Sequence, residues 1–334
     1  MSKRLRMAKL LHNTGILHAA RMLPSKPGIV VFNYHRIGNA HVTRFDRGVF
    51  GPTAEGFDQQ VRSIKKQMPI VSGEELENLV LGGRPLKRMY AAITFDDGYL
   101  DNYTEAFPVL KANDCTAAFF LVVDYAGKAL VPWWDEIAHL IRMTDAKEIV
   151  LTYPAELHVV LGEDREPAIH KVLTHYKRPD NIDPERMMGE LRAQCHVGVP
   201  EVQQRFLSWE QAREMAAAGM VIGSHTVSHM VLSQLSAERQ REELVVSKRR
   251  IEAEIGRAVT QLAYPVGTRL AFRKQTEEIA YEAGYKLCFS FYGGVNQPQT
   301  LQPTNILRGQ TPNEYPLFLT EMTVKAKLGR AIYR

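Results

Sequence analysis

Short apolar runs alternate with amphipathic stretches along most of the chain, and this rhythm predicts repeated strand–helix units. Six apolar runs predict buried strands, over residues 28–35, 91–95, 117–123, 220–224, 261–267 and 285–291. The stretches between them predict helices, over 57–68, 74–81, 103–110, 208–218, 236–254 and 273–283. A last strand-like segment covers 304–308. Apolar strands that alternate with helices indicate an α/β fold whose parallel sheet is closed, or nearly closed, into a barrel.

Residues 126–206 break this rhythm. A helix is predicted to begin at Pro132, a hairpin covers 148–161, and two polar helices fill most of 164–196. We interpret this segment as a helical and hairpin insertion into one α/β domain, which residues 27–125 and 207–312 form. Segments 1–26 and 313–334 flank that domain and are predicted to be basic helices.

The composition is ordinary for a soluble globular protein, with 45% apolar and 24% charged residues among 334. No run approaches the ~18 apolar residues that a membrane-spanning helix needs. The three cysteines, Cys115, Cys195 and Cys288, form no recognisable pair or thiolate metal motif. They predict reduced thiols in a reducing compartment.

The net charge of +5 is unevenly placed, because no acidic residue precedes Asp46 while eight lysines and arginines do. Polar residues such as His12 and His18 interrupt the apolar core that a signal peptide would need. The first 26 residues are expected to form an amphipathic helix that either lies on an anionic membrane or packs on the domain. We therefore expect a cytoplasmic protein, with peripheral contact at the inner membrane face as one alternative. No nucleic-acid-binding motif is present.

Two adjacent carboxylates end the second predicted strand, at Asp96 and Asp97, and Gly98 follows them. Neighbouring side chains of a regular strand point to opposite faces, so both acids serve one site only where the backbone leaves strand geometry. Gly98 permits such a departure. The carboxyl ends of parallel strands are also where β/α folds keep their chemistry. The alternative is that the two acids cap the following helix.

Two histidines, His225 and His229, follow another apolar strand at a spacing that puts both on the same side of a helical turn. Alone, this spacing fits a structural pair as well as a metal site. Because both motifs end parallel strands, they are expected to meet on one rim. Two imidazoles and one carboxylate form a known catalytic zinc set, which leaves the second carboxylate for a general base.

The motifs TFDDG at 94–98, SHTVSH at 224–229 and AYPVG at 263–267 occur in an order that resembles the polysaccharide deacetylases, carbohydrate esterase family 4. The resemblance covers roughly residues 28–310, with the insertion least covered. It implies a distorted (β/α) barrel in which Asp97, His225 and His229 bind a divalent metal and Asp96 is the catalytic base. The metal implied is zinc, with cobalt, nickel or manganese as alternatives.

The resemblance also assigns supporting roles. Thr226 fills the family's hydroxyl position between the histidines, and the Val266 N–H is implied to contribute to an oxyanion hole. The family's usual arginine before the proline is absent, because Ala263 stands there. Arg308, or less favourably Arg269, is expected to orient Asp96 instead.

No late histidine matches the family's catalytic acid, whereas Tyr34-His35 after the first strand resembles the family's circularly permuted branch. His35 is therefore expected to be the general acid, the alternative being a core or strand-capping histidine. Tyr99, Tyr264 and Trp134 are candidates to contact substrate, although Trp134 and its neighbour Trp133 fit helix packing equally well.

The expected reaction is metal-assisted hydrolysis of the N-acetyl group of an N-acetylhexosamine-containing glycan, or of a nucleotide- or lipid-linked precursor. Two alternatives remain open. One is a deformylase or deacylase of a lipid-linked amino sugar or another amide, and the other is an inactive glycan-binding module. The remaining histidines of the insertion region are expected to be structural or on the surface: His139, His170, His175 and His196.

Overall fold

The computed structural model describes residues 2–83, 85–198 and 200–329. Seven parallel strands in these ranges form one sheet, and two antiparallel strands form a hairpin. In chain order the strands are β1 Gly28–Tyr34, β2 Met89–Phe95, β3 Ala118–Leu121, β4 Glu148–Leu151, β5 Leu157–Val160, β6 Val221–Ser224, β7 Gln261–Ala263, β8 Leu287–Phe289 and β9 Arg308–Gln310. The order in the large sheet is β8-β7-β6-β3-β2-β1-β9.

The sheet is nearly closed into a barrel, which confirms the predicted fold class. β9 pairs with β1, and the segment just before β9 hydrogen-bonds to β8, with the Ile306 N–H 2.8 Å from the Cys288 carbonyl. The segment predicted as one last strand, 304–308, therefore takes part in two short pairings with different neighbours. Residues 303–306 contact β8, and residues 308–310 contact β1.

Twelve α-helices are described, and most cover the outside of the barrel. They are α1 Lys3–Asn13, α2 Ile16–Met22, α3 Ala54–Gln67, α4 Gly73–Leu81, α5 Phe107–Ala112, α6 Trp133–Met143, α7 Glu166–Tyr176, α8 Pro184–Cys195, α9 Trp209–Ala217, α10 Ala237–Ile255, α11 Lys274–Glu282 and α12 Tyr315–Leu328. Ser72, Ser208 and Ser236 cap α4, α9 and α10, as serine side chains do at helix starts. A π-helical turn, Asn102–Ala106, replaces the first half of the helix predicted over 103–110.

Strand side chains alternate between two apolar cores. Ile29 and Val31 of β1 belong to the cluster inside the barrel, whereas Val30 and Phe32 belong to the layer between strands and helices. On β2, Ala92 faces the interior. Since alternate residues share a face, Asn33, Thr94 and Asp96 continue the inward rows toward the rim. The upper end of the barrel interior is therefore polar.

Helices α6, α7 and α8 and the β4–β5 hairpin form the segment interpreted as an insertion, and they enclose a hydrophobic cluster of their own. Tyr99 and Val122 join that cluster from the barrel, so the segment is packed against the rim. Helix α6 supplies the two tryptophans at its first turn.

The predicted basic helix over 1–26 is two helices, because the chain reverses at Gly15, where φ is +74°. Both helices pack on α12. The predicted C-terminal helix is α12, and residues 330–334 of that prediction lie outside the described residues. Among the described residues, no helix is long and apolar enough to cross a bilayer.

Candidate active site

Strand register brings the sequence motifs together on the carboxyl rim of the barrel. Tyr34 of β1 pairs with Phe95 of β2, so the next residues along these strands, His35 and Asp96, are neighbours. Ser224 of β6 pairs with Leu262 of β7, which sets His225 beside Ala263. The parallel sheet thereby brings motifs from distant parts of the sequence to one rim.

Asp97, His225 and His229 form a buried cluster whose potential ligand atoms lie within 4.8 Å of one another. The Asp97 Oδ1 atom lies 3.5 Å from His225 Nε2 and 3.3 Å from His229 Nε2. His225 Nδ1 lies 2.7 Å from the Ala263 carbonyl, which only accepts, so this nitrogen carries the proton and Nε2 presents its lone pair. Asp97 Oδ1 is buried without a hydrogen-bond donor among the described residues. A divalent cation fits this donor set.

The histidine loop is irregular, and the predicted helical turn over 225–229 is wrong. Thr226 and His229 have positive φ angles of 69° and 58°. The Thr226 hydroxyl accepts a hydrogen bond from the His229 N–H, so its side chain holds the loop. Glu243 of α10 is a supporting residue that the sequence did not reveal, and its carboxylate accepts bonds from the Val227 N–H, at 2.8 Å, and from the Ser228 N–H and hydroxyl.

Asp96 is held by a buried arginine from the last strand. The Arg308 guanidinium binds both oxygens of Asp96, at 2.7 and 2.8 Å. The guanidinium also donates to Asn33 Oδ1 and, at 3.0 Å through Nε, to the Ser290 carbonyl. Phe120 and Phe289 lie 5.3 and 5.7 Å from it, in the same interior cluster as Ala263. Arg308 therefore fills the contact that the missing arginine left open, whereas Arg269 is exposed and lies over Tyr292.

The surroundings of Asp96 and Asp97 shift the pKa values of the two acids in opposite directions. Burial alone would raise the pKa of Asp96, but the Arg308, His225 and His35 side chains together lower it below its usual value. Burial and the neighbouring charges of Asp96 and Asp135 raise the pKa of Asp97 well above its usual value in the absence of a cation. Asp96 is thus stable as a free carboxylate, while Asp97 needs a positive charge beside it.

His35 lies beside Asp96, with its Nε2 atom 3.8 Å from Asp96 Oδ2 and its ring packed edge-on against Phe291. Its side chain is 20% exposed, so it reaches the cavity. Desolvation lowers the pKa of His35 to about 4, against the opposing effect of Asp96. The imidazole is therefore neutral at rest and receives a proton only during a reaction cycle.

The turn after β7 presents backbone to the cavity. Val266 and Gly267 have φ angles of 61° and 59°, and positive φ is costly for a β-branched residue such as valine. A side chain at position 267 would lie 2.8 Å from both the backbone nitrogen and the Cβ of Phe291, which explains the glycine there. No hydrogen bond of the Val266 N–H to another described residue occurs.

The cavity over this cluster has a volume of about 170 Å³. Val266 lines it together with the catalytic candidates, and the inserted segment adds Trp133, Trp134 and Lys177. Its outer end meets a groove of about 500 Å³ along α7, and Lys177, His35 and Asp46 line both spaces. The sequence did not point to Lys177 or Asp46, because an isolated charged residue at a helix end or in a loop looks like an ordinary surface residue.

Two predicted substrate contacts are wrong for this structure, because both tyrosines are buried in the core. Tyr99 is fully buried, stacks on Phe206, and its hydroxyl accepts a bond from Trp134 Nε1 at 2.8 Å. Tyr264 lies beneath the rim, where its hydroxyl donates to the Thr304 carbonyl at 3.0 Å. Of the three predicted contacts, Trp134 alone lines the cavity, and its ring centroid lies 4.5 Å from that of His229.

The other histidines stay away from the ligand cluster. His139 and His175 are buried, with Nε2 3.2 Å from the Gly198 carbonyl and 3.3 Å from the Tyr153 carbonyl. His170 and His196 are exposed, and His170 lies on the wall of the 500 Å³ groove.

The chain belongs to the polysaccharide deacetylase family, whose model matches residues 83–288, more than half of the sequence. A relative in Bacillus subtilis (strain 168), YxkH, whose name places it among the polysaccharide deacetylases, is 25% identical over 195 residues. That match covers 58% of this chain and 42% of the relative, so this chain spans less than half of YxkH.

Solved structures share the fold. IcaB from Ammonifex degensii superposes with a TM-score of 0.57 at 21% identity, covering 89% of this chain and 97% of IcaB. The Streptococcus pyogenes deacetylase PplD, solved in complex with acetate, gives 0.55 at 19% identity, covering 90% and 99%. The deacetylase domain of BpsB from Bordetella bronchiseptica gives 0.52 at 18% identity, covering 86% and 97%. The circular permutation suggested by Tyr34-His35 stays a prediction.

Proposed function

We propose that this protein is a metal-dependent deacetylase that hydrolyses the N-acetyl group of an N-acetylhexosamine in a glycan or a glycan precursor. The observation that carries the proposal is that the neighbouring acids Asp96 and Asp97 have different partners. Asp97 faces two histidines without a hydrogen-bond donor on Oδ1, while Asp96 is fixed by Arg308 and turned toward the cavity. Asp97 is thus available to bind a cation, and Asp96 is available to accept a proton.

Asp97, His225 and His229 would hold the ion, and the cation would act as a Lewis acid toward water and the acyl oxygen. Two imidazoles with one carboxylate favour zinc, and cobalt, nickel and manganese accept the same donors. The Ala263 carbonyl orients the His225 ring from behind, and the Thr226 hydroxyl holds the backbone at His229.

The chain's own groups carry the proton and the developing charge. Asp96 accepts a proton from the attacking water, because its ionised form is the favoured one. The Val266 N–H is available to donate to the oxygen of the tetrahedral intermediate. His35, 3.8 Å from Asp96, is placed to receive that proton and pass it to the departing amine, which leaves poorly unless it is protonated. Water and an amide give acetate and a protonated amine, so the proton count balances.

The space around the reactive centre supports a glycosidic substrate. The 170 Å³ cavity is narrow, but it continues into the 500 Å³ groove, which leaves room for further sugars or for a linked carrier. Trp133 and Trp134 provide apolar walls of the kind that contact sugar rings. We infer a cytoplasmic setting from the three unpaired cysteines and the basic flanking segments, which suits a nucleotide- or lipid-linked precursor in exopolysaccharide synthesis.

The experiment compares wild type with His225→Ala, Asp96→Asn and the control His158→Ala, whose imidazole is exposed and paired with Glu148 in the hairpin. Metal content is measured together with acetate release from chitooligosaccharides and from UDP- and lipid-linked N-acetylhexosamines. We expect metal and activity to be lost in His225→Ala, activity alone to be lost in Asp96→Asn, and neither in the control.

A metal-loaded protein that releases acetate from none of these substrates would overturn the acetylated-sugar assignment and favour a deformylase or a deacylase of another amide. A protein that binds no divalent ion under any loading condition would overturn the enzyme proposal and leave the glycan-binding module. That module drew its support from Ala263 alone, and the contact between Arg308 and Asp96 removes this support.

A further inference from the structure

We propose that the outer face of α1 and α2 is a docking surface for an anionic lipid bilayer. The α1–α2 face is defined by five exposed apolar side chains and two exposed lysines. The apolar members are Met7, Leu10, Ile16, Met22 and Leu23, and the lysines are Lys3 and Lys9. Its chemistry differs from that of the active site, and docking of this face does not depend on the reaction catalysed there.

The apolar side chains of this face are not needed for packing. Helix α1 contacts α12 through the opposite stripe, where Ala8 is buried and Leu5 and Leu11 are half-buried. Met7 and Leu10 remain 57% and 56% exposed, and Met22 on α2 is 79% exposed. Of the fifteen large apolar side chains exposed in the described ranges, five lie within residues 7–23. Such a concentration marks an interaction surface.

The charge around these side chains has one sign. Residues 2–26 contain six lysines and arginines and no acid. The neighbouring acid on α12, Glu321, is largely buried and lies 2.8 Å from Arg4. Exposed apolar side chains flanked by lysines are the signature of a helix that lies in the interface of an anionic membrane.

The same charge argues against a second copy of the chain as the occupant. In a symmetric dimer through this face, the lysines of both copies would meet, and like charges brought together oppose association. A surface rich in lipid phosphates satisfies the lysines and takes up the apolar side chains at the same time. We therefore commit to a bilayer with anionic headgroups.

The test is flotation of the full-length chain with vesicles of phosphatidylcholine alone and of phosphatidylcholine mixed with phosphatidylglycerol. Variant Met22→Ser/Leu23→Ser removes two apolar members, and Lys3→Gln/Lys9→Gln removes two charges. The matched control is Val160→Ser/Ile182→Ser, because those side chains are 71% and 74% exposed in the inserted segment. All substituted side chains are exposed, so thermal unfolding should be unchanged. Deleting both helices is avoided because it would uncover α12.

We expect wild type and the control to float with the mixed vesicles only, and this binding should weaken as salt is added. Removing both lysines should weaken binding on the order of 30-fold, since each lysine near an anionic surface contributes roughly fivefold. The serine pair should weaken it at least about tenfold. Wild type that stays unbound, or binding that both variants retain, would overturn the proposal. A concentration-dependent dimer lost in the serine pair would overturn it in favour of a second copy.

Discussion

Replacing Arg308 by methionine gives a sharp test of how the barrel holds its catalytic acid. The Arg308 side chain is fully buried, and it binds both oxygens of Asp96, whose side chain is 4% exposed. Methionine keeps much of the volume but leaves a buried carboxylate without its main partner. Breaking one side of a buried ion pair costs about 3–5 kcal/mol of unfolding free energy. We expect Arg308→Met to lose an amount in that range, measured by urea denaturation.

The same substitution changes the pH dependence in a direction that can be worked out. Burial raises the pKa of Asp96, and Arg308 is the largest of the groups that oppose it. Without Arg308 the pKa of Asp96 rises, so the base is protonated at a higher pH. The acid limb of the kcat/KM profile should therefore move to higher pH.

The stability of the protein should follow the same sign. In the wild type, the folded-state pKa of Asp96 lies below the unfolded value of about 4. Its ionisation therefore stabilises the fold above that pH, and this stabilisation disappears as pH falls through the folded-state pKa. In Arg308→Met the contribution should reverse, because the raised pKa makes ionisation destabilising as pH rises.

Arg269 provides the matched control. Its side chain is exposed, and its guanidinium lies 4.3 Å from the centroid of the Tyr292 ring. Arg269→Met should change the unfolding free energy by no more than about 0.5 kcal/mol and leave the pH profile in place. If the methionine variant does not fold, Arg308→Lys replaces it in the same measurements, because lysine keeps the charge but not the bidentate contact. An Arg308→Met protein with wild-type stability and an unmoved acid limb would refute the reasoning.

Three further variants separate the roles of the remaining groups. His35→Asn should lower kcat by about 10²–10⁴-fold with unchanged metal content, and a kcat near wild type would exclude His35 as the acid. Asp97→Asn should abolish metal binding. It should also raise the urea midpoint relative to chelator-treated wild type, because it removes a buried charge whose Oδ1 has no hydrogen-bond donor. A lower midpoint would contradict this expectation. Glu243→Gln should weaken metal affinity by about 10–100-fold in a competition with a chelating dye, because Glu243 holds the loop before His229. Equal affinity would show that other contacts suffice to hold that loop.

Local patterns were enough to predict the barrel and to find the strand ends that form its rim. An apolar run that stops at Asp96, or at Ser224 before His225, marks a strand end without any knowledge of the neighbours. Such patterns do not give the length of a strand that enters a tight turn. The strand predicted over 261–267 ends at Ala263, because Pro265 and the positive φ of Val266 turn the chain away.

Residues that reach the site through space were harder to find than those in the motifs. The choice of Arg308 over Arg269 was open in the sequence, and only the pairing of β9 with β1 brings the Arg308 guanidinium to Asp96. Lys177 enters the cavity from the far side through the inserted helices, whose packing no motif describes. Tyr99 misled us for the opposite reason, since a residue next to a catalytic motif can point into the core behind it.

Backbone strain at the rim explains why adjacent residues serve one centre although strand geometry would separate them. Six described residues other than glycine have positive φ, and four of them are Asp97, Thr226, His229 and Val266. Each lies in a turn just after β2, β6 or β7, where the strand's alternation ends. Left-handed backbone at such residues costs about 1–3 kcal/mol and persists only where the surroundings enforce it. Here the enforcing contacts are visible, because Glu243 holds the Val227–Ser228 turn and Gly267 packs against Phe291. The strain turns Asp97 toward the histidines while Asp96 keeps its strand direction toward Arg308, so the two carboxylates can take different partners.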